Sequence, residues 1–304
     1  MAALTSTIHR PLQLQIYNTP AADVDRLLTI AEMTNKYHFA SIEKWAVNAL
    51  YNVISGLHGP PQQQYELGQC SSAWMKRLLE VALLCGHNEL RDHVAKRWVE
   101  RIIQRDLRPV HALEIAERSG VKSLLGYAYY VQLLEMDEDF SPGVVEDGKQ
   151  YARSRIGAPA SNEDARAGTP AVLSREQKQR LLSGHWSLTR LWERLWKVPP
   201  KFERPEGCTY HQHGCLQTWG TVWRSVGKAE STLRHASVDV LGRLKAMEEQ
   251  LFMHADLSCA LTPQCKRAAL LALKASVREV QDGLAGHFTD LTADARAAEE
   301  ESRT

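Results

Sequence analysis

What this chain lacks excludes several classes of function. It has no excess of one charge: 37 Lys and Arg stand against 36 Asp and Glu, so no global field draws it to nucleic acid or to a membrane surface. No apolar run approaches membrane-spanning length. The N-terminus, MAALTSTIHRPLQLQIY, has no basic region followed by an apolar core, so it does not read as a signal peptide. Cysteine is sparse, six in 304 residues, and no CxxC pair occurs. A chain this long folds without disulfides, and an intracellular, reduced setting is expected. There is no Gly-rich phosphate loop, no GxSxG elbow and no HExxH pair, so no enzyme is expected. Cys85, near His87 at a helix corner, is expected to pack rather than react.

What is present is helical periodicity. The clearest pattern is LLTIAEMTNKYHFASIEKWAVNAL, residues 27–50. Leu27, Leu28, Ala31 and Asn35 fall on helical spacing behind an Asp23 N-cap. Tyr37 and Phe39 mark a corner. Ser41 is expected to cap a second helix with Ile42, Trp45, Ala46, Ala49, Leu50 and Val53 on its apolar side, and Phe39 and Trp45 to fill the wedge between the two. The order recurs as Leu78–Ala82–Leu90–Ala95–Trp98 and as Ala112–Ala116–Leu124–Ala128. In each copy a small residue precedes a large one by eight positions: Ala31 and Phe39, Ala82 and Leu90, Ala116 and Leu124. Three helical hairpins of this kind predict a loosely repeating helix-pair array.

The residues LLTIAEMTNKYHFASIEKWAVNALYNVI resemble the C-terminal helices of BTB/POZ domains, where a Leu-rich helix runs into an NKY corner and a second helix. The wording IAEMTNKYHFAS is similar to that of fungal (basidiomycete) BTB-domain proteins. The segments 78–101 and 109–136, together with SREQKQRLLSGHWSLTRLWE and CTYHQHGC, resemble later parts of that set, so the likeness covers most of the chain from about Pro11. A BTB fold usually opens with a strand-rich half. No such region precedes Leu27, and a truncated gene model or a lineage that lost it is expected. The resemblance implies adaptor roles, bringing a target to a cullin-type ubiquitin ligase or to a transcriptional complex.

Elsewhere the chain divides by composition. Residues 1–22 read as an irregular arm, with LQLQIY as one short strand or BTB remnant. Residues 23–136 form the hairpin array, interrupted by the loop GLHGPPQQQYELGQ. Residues 137–173, rich in Gly, Pro and scattered charge, read as a flexible linker. Residues 174–290 form a C-terminal helical domain, and 291–304 a fraying tail. Within that domain Ser174 and Gln177 suggest a capping box. Leu181, His185, Leu188, Trp192 and Leu195 share a stripe that Pro199 and Pro200 end. A helix bearing Trp219, Val222, Trp223 and Val226 comes next. Two further stripes follow, Leu233–Val240–Leu244–Met247–Leu251 and Leu270–Leu273–Val277–Val280–Leu284–Phe288. Thr262 and Pro263 open the second, and the two are expected to form an antiparallel, coiled-coil-like hairpin.

Three features carry chemistry. Cys208, His211, His213 and Cys215 lie within eight residues, and Cys259 or Cys265 falls near the later hairpin tip. Thiolates and imidazoles suit zinc, and a site taking both loop cysteines, one histidine and a hairpin cysteine would join loop to hairpin. The candidate set is Cys208, His211, His213, Cys215 and Cys259. Its spacing matches known ligand patterns poorly, which favours buried free thiols and surface histidines. Five of the eight tryptophans fall between Trp186 and Trp223, as core or as an aromatic docking surface, with core favoured. From Ser174 to Arg204 eight Lys or Arg oppose three Glu, a solvated face or a phosphate-binding one, with no nucleic-acid-binding signature.

The sequence therefore predicts an all-α protein of two parts: stacked hairpins resembling the BTB tail and its following (BACK-like) helices, then a helical bundle. The expected function is a non-catalytic protein–protein interaction scaffold or adaptor, with Met33, Tyr37 and Trp45 as candidate partner-binding residues. Nucleic acid is not an expected partner of that scaffold. The alternative is a zinc-stabilised nucleic-acid-binding transcriptional regulator. A hydrolase or transferase would need a polar pocket that nothing in the sequence foreshadows.

Overall fold

The computed structural model describes residues 23–56, 67–140 and 172–289, and among them there is no strand. The arm, the strand expected at LQLQIY, most of the linker and the 291–304 tail lie outside the described residues. The chain divides into two compact units, with the division between Ala128 and Tyr129. It therefore falls inside a helix, not at the compositional change near residue 137, because Leu124 and Ala128 are buried in the first unit and Tyr129 and Tyr130 in the second.

The first unit holds α1 (Val24–Lys36), α2 (Ala40–Ser55), α3 (Ser72–Leu84), α4 (Asn88–Ile103), α5 (Val110–Ser119) and the start of α6 (Lys122–Phe140). Asp23 accepts a hydrogen bond from the Arg26 amide, as an N-cap should. Helix α1 packs on α2 and α3, α3 on α4 and α5, and α2 on α4. The repeated residues sit at these contacts: Leu27, Leu28, Ala31, Leu78, Ala82, Leu90, Ala95, Trp98, Ala112, Ala116, Leu124 and Ala128 are all buried. Polar ties run across the same seams. Arg77 of α3 grips Glu32 of α1 through Nε at 2.7 Å and Nη2 at 2.9 Å, a two-pronged pairing that fixes orientation. Lys76 reaches Glu114 at 3.0 Å, and Arg118 pairs with Glu80.

The first corner differs from expectation. Helix α2 starts at Ala40 behind Phe39, with no side-chain cap, and Ser41 is exposed. The Phe39 amide instead donates to the Thr34 carbonyl at 2.8 Å, with His38 at φ 59°. The turn is closed by backbone, two residues early, and Phe39 lies outward at 51 % exposure. Ala46, Ala49 and Leu50 of α2 are buried, while Met33 and Trp45 are half-buried. Gly86 and Gly120 end α3 and α5 at φ 64° and 68°, a backbone region costly for residues with a Cβ. Cys85 is half-buried beside the first of these, its thiol pushed up to about 11 by burial and then by Glu43 and Glu32.

The second unit holds the rest of α6, then α7 (Arg175–Leu195), α8 (Leu216–Gly227), α9 (Glu230–Leu233), α10 (Val240–Met253), α11 (Ala255–Ala260) and α12 (Pro263–Gly283), which ends in a 3₁₀ turn (Leu284–His287). The Ser174–Gln177 capping box forms in both directions, at 3.1 and 3.0 Å. Trp192, Trp219 and Trp223 are core. The indoles of Trp219 and Trp223 donate to the carbonyls of Pro200 and Leu195, which ties α8 to the end of α7. Gly184, not His185, faces inward on α7, where the Phe288 ring occupies the space of a Cβ. The stripe drawn from Leu233 to Leu251 is broken. Asp239 caps α10, accepting from the Gly242 amide and from the Tyr130 hydroxyl, so Leu233 is left on the separate α9, half exposed. Helices α10 and α12 pack together, and the pairs Glu248–Lys274 and Phe252–Lys266 run in opposite chain directions, which makes them antiparallel.

Candidate metal centre

Three local structures converge in the second unit. The first is the loop after α7, which turns at Gly207 (φ 78°) and delivers Cys208. Arg204 holds that turn through a 2.6 Å bond from Nε to the Cys208 carbonyl. The second is a single π turn, His211–Cys215, leading directly into α8. The amides of Gly214 and Cys215 both donate to the Tyr210 carbonyl, and the Cδ1–Cε1 edge of the Tyr210 ring lies where a Cβ would sit on Gly214. Such a turn is wider than an α turn, and it brings the side chains of His211 and Cys215 to one point. The third is the first turn of α12. Thr262 Oγ1 accepts from the Cys265 amide at 3.2 Å behind Pro263 at the first helical position, so Cys265 faces the same point from a helix N-terminus.

The donor atoms of Cys208, His211, Cys215 and Cys265 all lie within 4.8 Å of one another, and all four residues are buried. Cys208 Sγ is 3.9 Å from Cys215 Sγ and 3.5 Å from Cys265 Sγ, and Cys265 Sγ is 3.5 Å from His211 Nδ1. These are not disulfides, whose sulfurs lie at about 2.05 Å. Zinc bonds of about 2.3 Å to sulfur and 2.0–2.1 Å to nitrogen, at tetrahedral angles, place sulfurs about 3.75 Å apart and sulfur and nitrogen about 3.5 Å apart. The three separations match those edges. The cluster is therefore a Cys3His set able to hold a metal ion. Three thiolates around a divalent cation leave a net charge of about −1, which the N-terminus of α12 favours. Phe202 closes one side, edge-on to the His211 ring at 5.1 Å, and also meets Trp219.

The thiols are unequal. Burial raises Cys208, but hydrogen bonds from Cys265, the Tyr210 backbone, Cys215 and Thr262 outweigh it, and the net shift is downward. Cys265, where burial dominates, is pushed up to about 11. Cys265 Sγ is the donor and Cys208 Sγ the acceptor of the hydrogen bond between them.

Of the candidate residues, the structure gathers Cys208, His211 and Cys215 and leaves out His213 and Cys259, both exposed. On the π turn His213 points away from the point shared by His211 and Cys215. Cys259 lies on α11, before the Thr262 cap that aims Cys265 inward. The signal for Cys265 was present in the sequence: Thr–Pro opening a helix places the residue two after the proline in its first turn.

No family model, no curated protein and no solved structure matches this chain. Among the described residues no helix is long and apolar enough to cross a membrane.

Proposed function

We propose that this protein is a non-catalytic protein–protein interaction scaffold of BTB type whose second unit is clipped by a structural zinc ion on Cys208, His211, Cys215 and Cys265. The observation that carries this reading is the closed donor set. Four buried protein donors lie within 4.8 Å of one another, the number of protein ligands that structural zinc sites use, where catalytic ones keep a position for water. Among the described residues no Asp or Glu joins the cluster. Cys3His is a donor set zinc takes readily, and hard cations that prefer oxygen do not.

The interaction reading is supported by apolar side chains at one end of the first unit. Tyr37 and Phe39 are 45 % and 51 % exposed, and Leu84 is 63 % exposed. Asn35 joins the two corners by donating to the Leu84 carbonyl at 3.3 Å, so these three belong to neighbouring helix ends. Met33 and Trp45 lie beside them as partly covered residues. The partners that the BTB resemblance implies are a cullin-type ligase or a transcriptional complex. The test is an affinity pull-down from the native cell extract with the parent chain and with a Tyr37→Asp, Phe39→Asp double variant of unchanged melting temperature. Recovery of such a complex by the parent and its loss in the variant supports the reading. Recovery of neither complex, or equal recovery by both proteins, overturns it.

A further inference from the structure

We propose that the second unit carries a binding face for single-stranded nucleic acid, formed by one side of α7 and the end of α8. The near-zero charge of the whole chain conceals an asymmetry. Residues 172–289 hold 17 Lys and Arg against 11 Asp and Glu, a net of +6. Part of that excess is gathered in one place. Trp186, Arg190 and Arg194 follow one another at four-residue steps, so they share a face of α7, and Lys197 stands just past the end of that helix. At 1.5 Å per residue the helical stripe is about 12 Å long.

The face is continued from α8. Lys228 Nζ lies 4.9 Å from the centre of the Trp196 ring, and Lys197 Nζ lies 5.4 Å from it. Arg224 reaches the same end of α7: the Cβ position at Gly220 lies 3.9 Å both from Arg224 Nη2 and from Pro199. Glu193 is the one carboxylate found within this group, and it is engaged by Lys197 at 3.3 Å and by the Trp196 indole at 3.4 Å. Arg190 and Arg194 are exposed and, among the described residues, have no carboxylate partner. Cations at a helix C-terminus offset its dipole, but that effect fades within the last turn, and Arg190 and Trp186 lie beyond it.

Trp186 identifies the partner class. It is 59 % exposed at the far end of the stripe, with the Arg190 guanidinium 4.6 Å from its ring centre. A large exposed ring beside cations is the arrangement on which unpaired bases stack while the backbone follows the charges. In a duplex the base faces are covered by their neighbours, so this ring would gain nothing from one. An acidic peptide would use the charges and leave the ring without a role.

The test is fluorescence anisotropy of labelled oligo(dT) and of a duplex of equal length, titrated with the full chain at several salt concentrations. The expected result is salt-dependent binding of the single strand, tighter than of the duplex. Trp186→Ala should weaken it about tenfold, the order of one lost stack. Arg190→Glu with Arg194→Glu should abolish it at moderate salt. Each phosphate contact removed should flatten the slope of log K against log salt by about 0.7. All three side chains are exposed, so melting temperatures at about pH 8, where His287 is neutral, should not move, and Arg267→Glu on α12 should bind like the parent. Absence of single-strand binding at low salt overturns the proposal. So does equal binding of duplex and single strand that Trp186→Ala leaves unchanged, which is attraction to any polyanion. The adaptor reading rests on the first unit and on a different assay, so either can fail alone.

Discussion

Replacing Cys265 by Ser tests the metal centre at its most informative point, because it is the one of the four donors that comes from the later helices. A metal on the four donors links Cys215 to Cys265, fifty residues apart. Closing a loop of that length removes unfolded-chain entropy equivalent to about 4 kcal/mol at room temperature, if the metal clip is treated like a disulfide. A typical domain has about 5–15 kcal/mol in total, so the clip would supply a large share. At about 2–5 °C per kcal/mol for a unit of this size, the melting temperature should fall by about 10–20 °C. Protein purified without chelator should contain one zinc per chain by elemental analysis, and Cys265→Ser should contain far less. A strong chelator should bring the parent down to the variant's melting temperature and leave the variant where it is. His213→Ala and Cys259→Ser, whose side chains are exposed, should change neither quantity. Metal-free parent protein that melts at the same temperature as Cys265→Ser would refute the reasoning, and the four residues would then be ordinary buried thiols around a histidine.

Three further outcomes follow from the second unit. Asp239 receives Tyr130 Oη at 2.6 Å and the Gly242 amide at 2.8 Å, and its other oxygen meets His235 Nδ1 at 3.0 Å. Burial and then the Asp239 charge keep the Tyr130 phenol protonated as the donor, so Asp239→Ala should cost about 2–4 kcal/mol in denaturant unfolding and Asp239→Asn clearly less. His287 is held below the usual 6.5 by burial and then by Arg194, so its contribution to stability is complete above about pH 6.5 and is lost as pH falls through its lower folded value. Arg194→Gln should therefore narrow the drop in melting temperature between about pH 8 and pH 5 relative to the parent, and an unchanged drop would contradict this. Gly184→Ala drives a methyl group into the Phe288 ring and should destabilise by about 1–3 kcal/mol, whereas Gly283→Ala, with nothing within 4 Å of its Cβ position, should not destabilise in the same assay.

Helix content was legible in the sequence because periodicity and capping are local. Asp23, Ser174 and Thr262 each act on backbone groups within a few residues, so their roles could be read along the chain. The small-to-large repeat likewise placed the buried residues of the first unit, since a face buried once per turn leaves its mark every three or four positions. The corner at Phe39 was not legible. Whether a turn is closed by a Ser41 side chain or by a Thr34 carbonyl depends on how two helices meet, and that choice decided whether an aromatic ring lay inside or outside. Similarly, Asp239 breaks its stripe by capping a helix and by receiving a hydroxyl from Tyr130, more than a hundred residues earlier.

The metal centre divides in the same way. Residue types and the eight-residue loop from Cys208 to Cys215 established by themselves that thiol and imidazole donors were concentrated there. Spacing argued against a site, because four ligands so close in sequence cannot surround one ion. Tertiary structure alone decided otherwise. It left His213 exposed and outside the cluster, and it brought Cys265 from fifty residues beyond to complete a four-donor set able to hold a metal ion. Coordination is a condition on distances in space, and a chain specifies those only after its helices have packed.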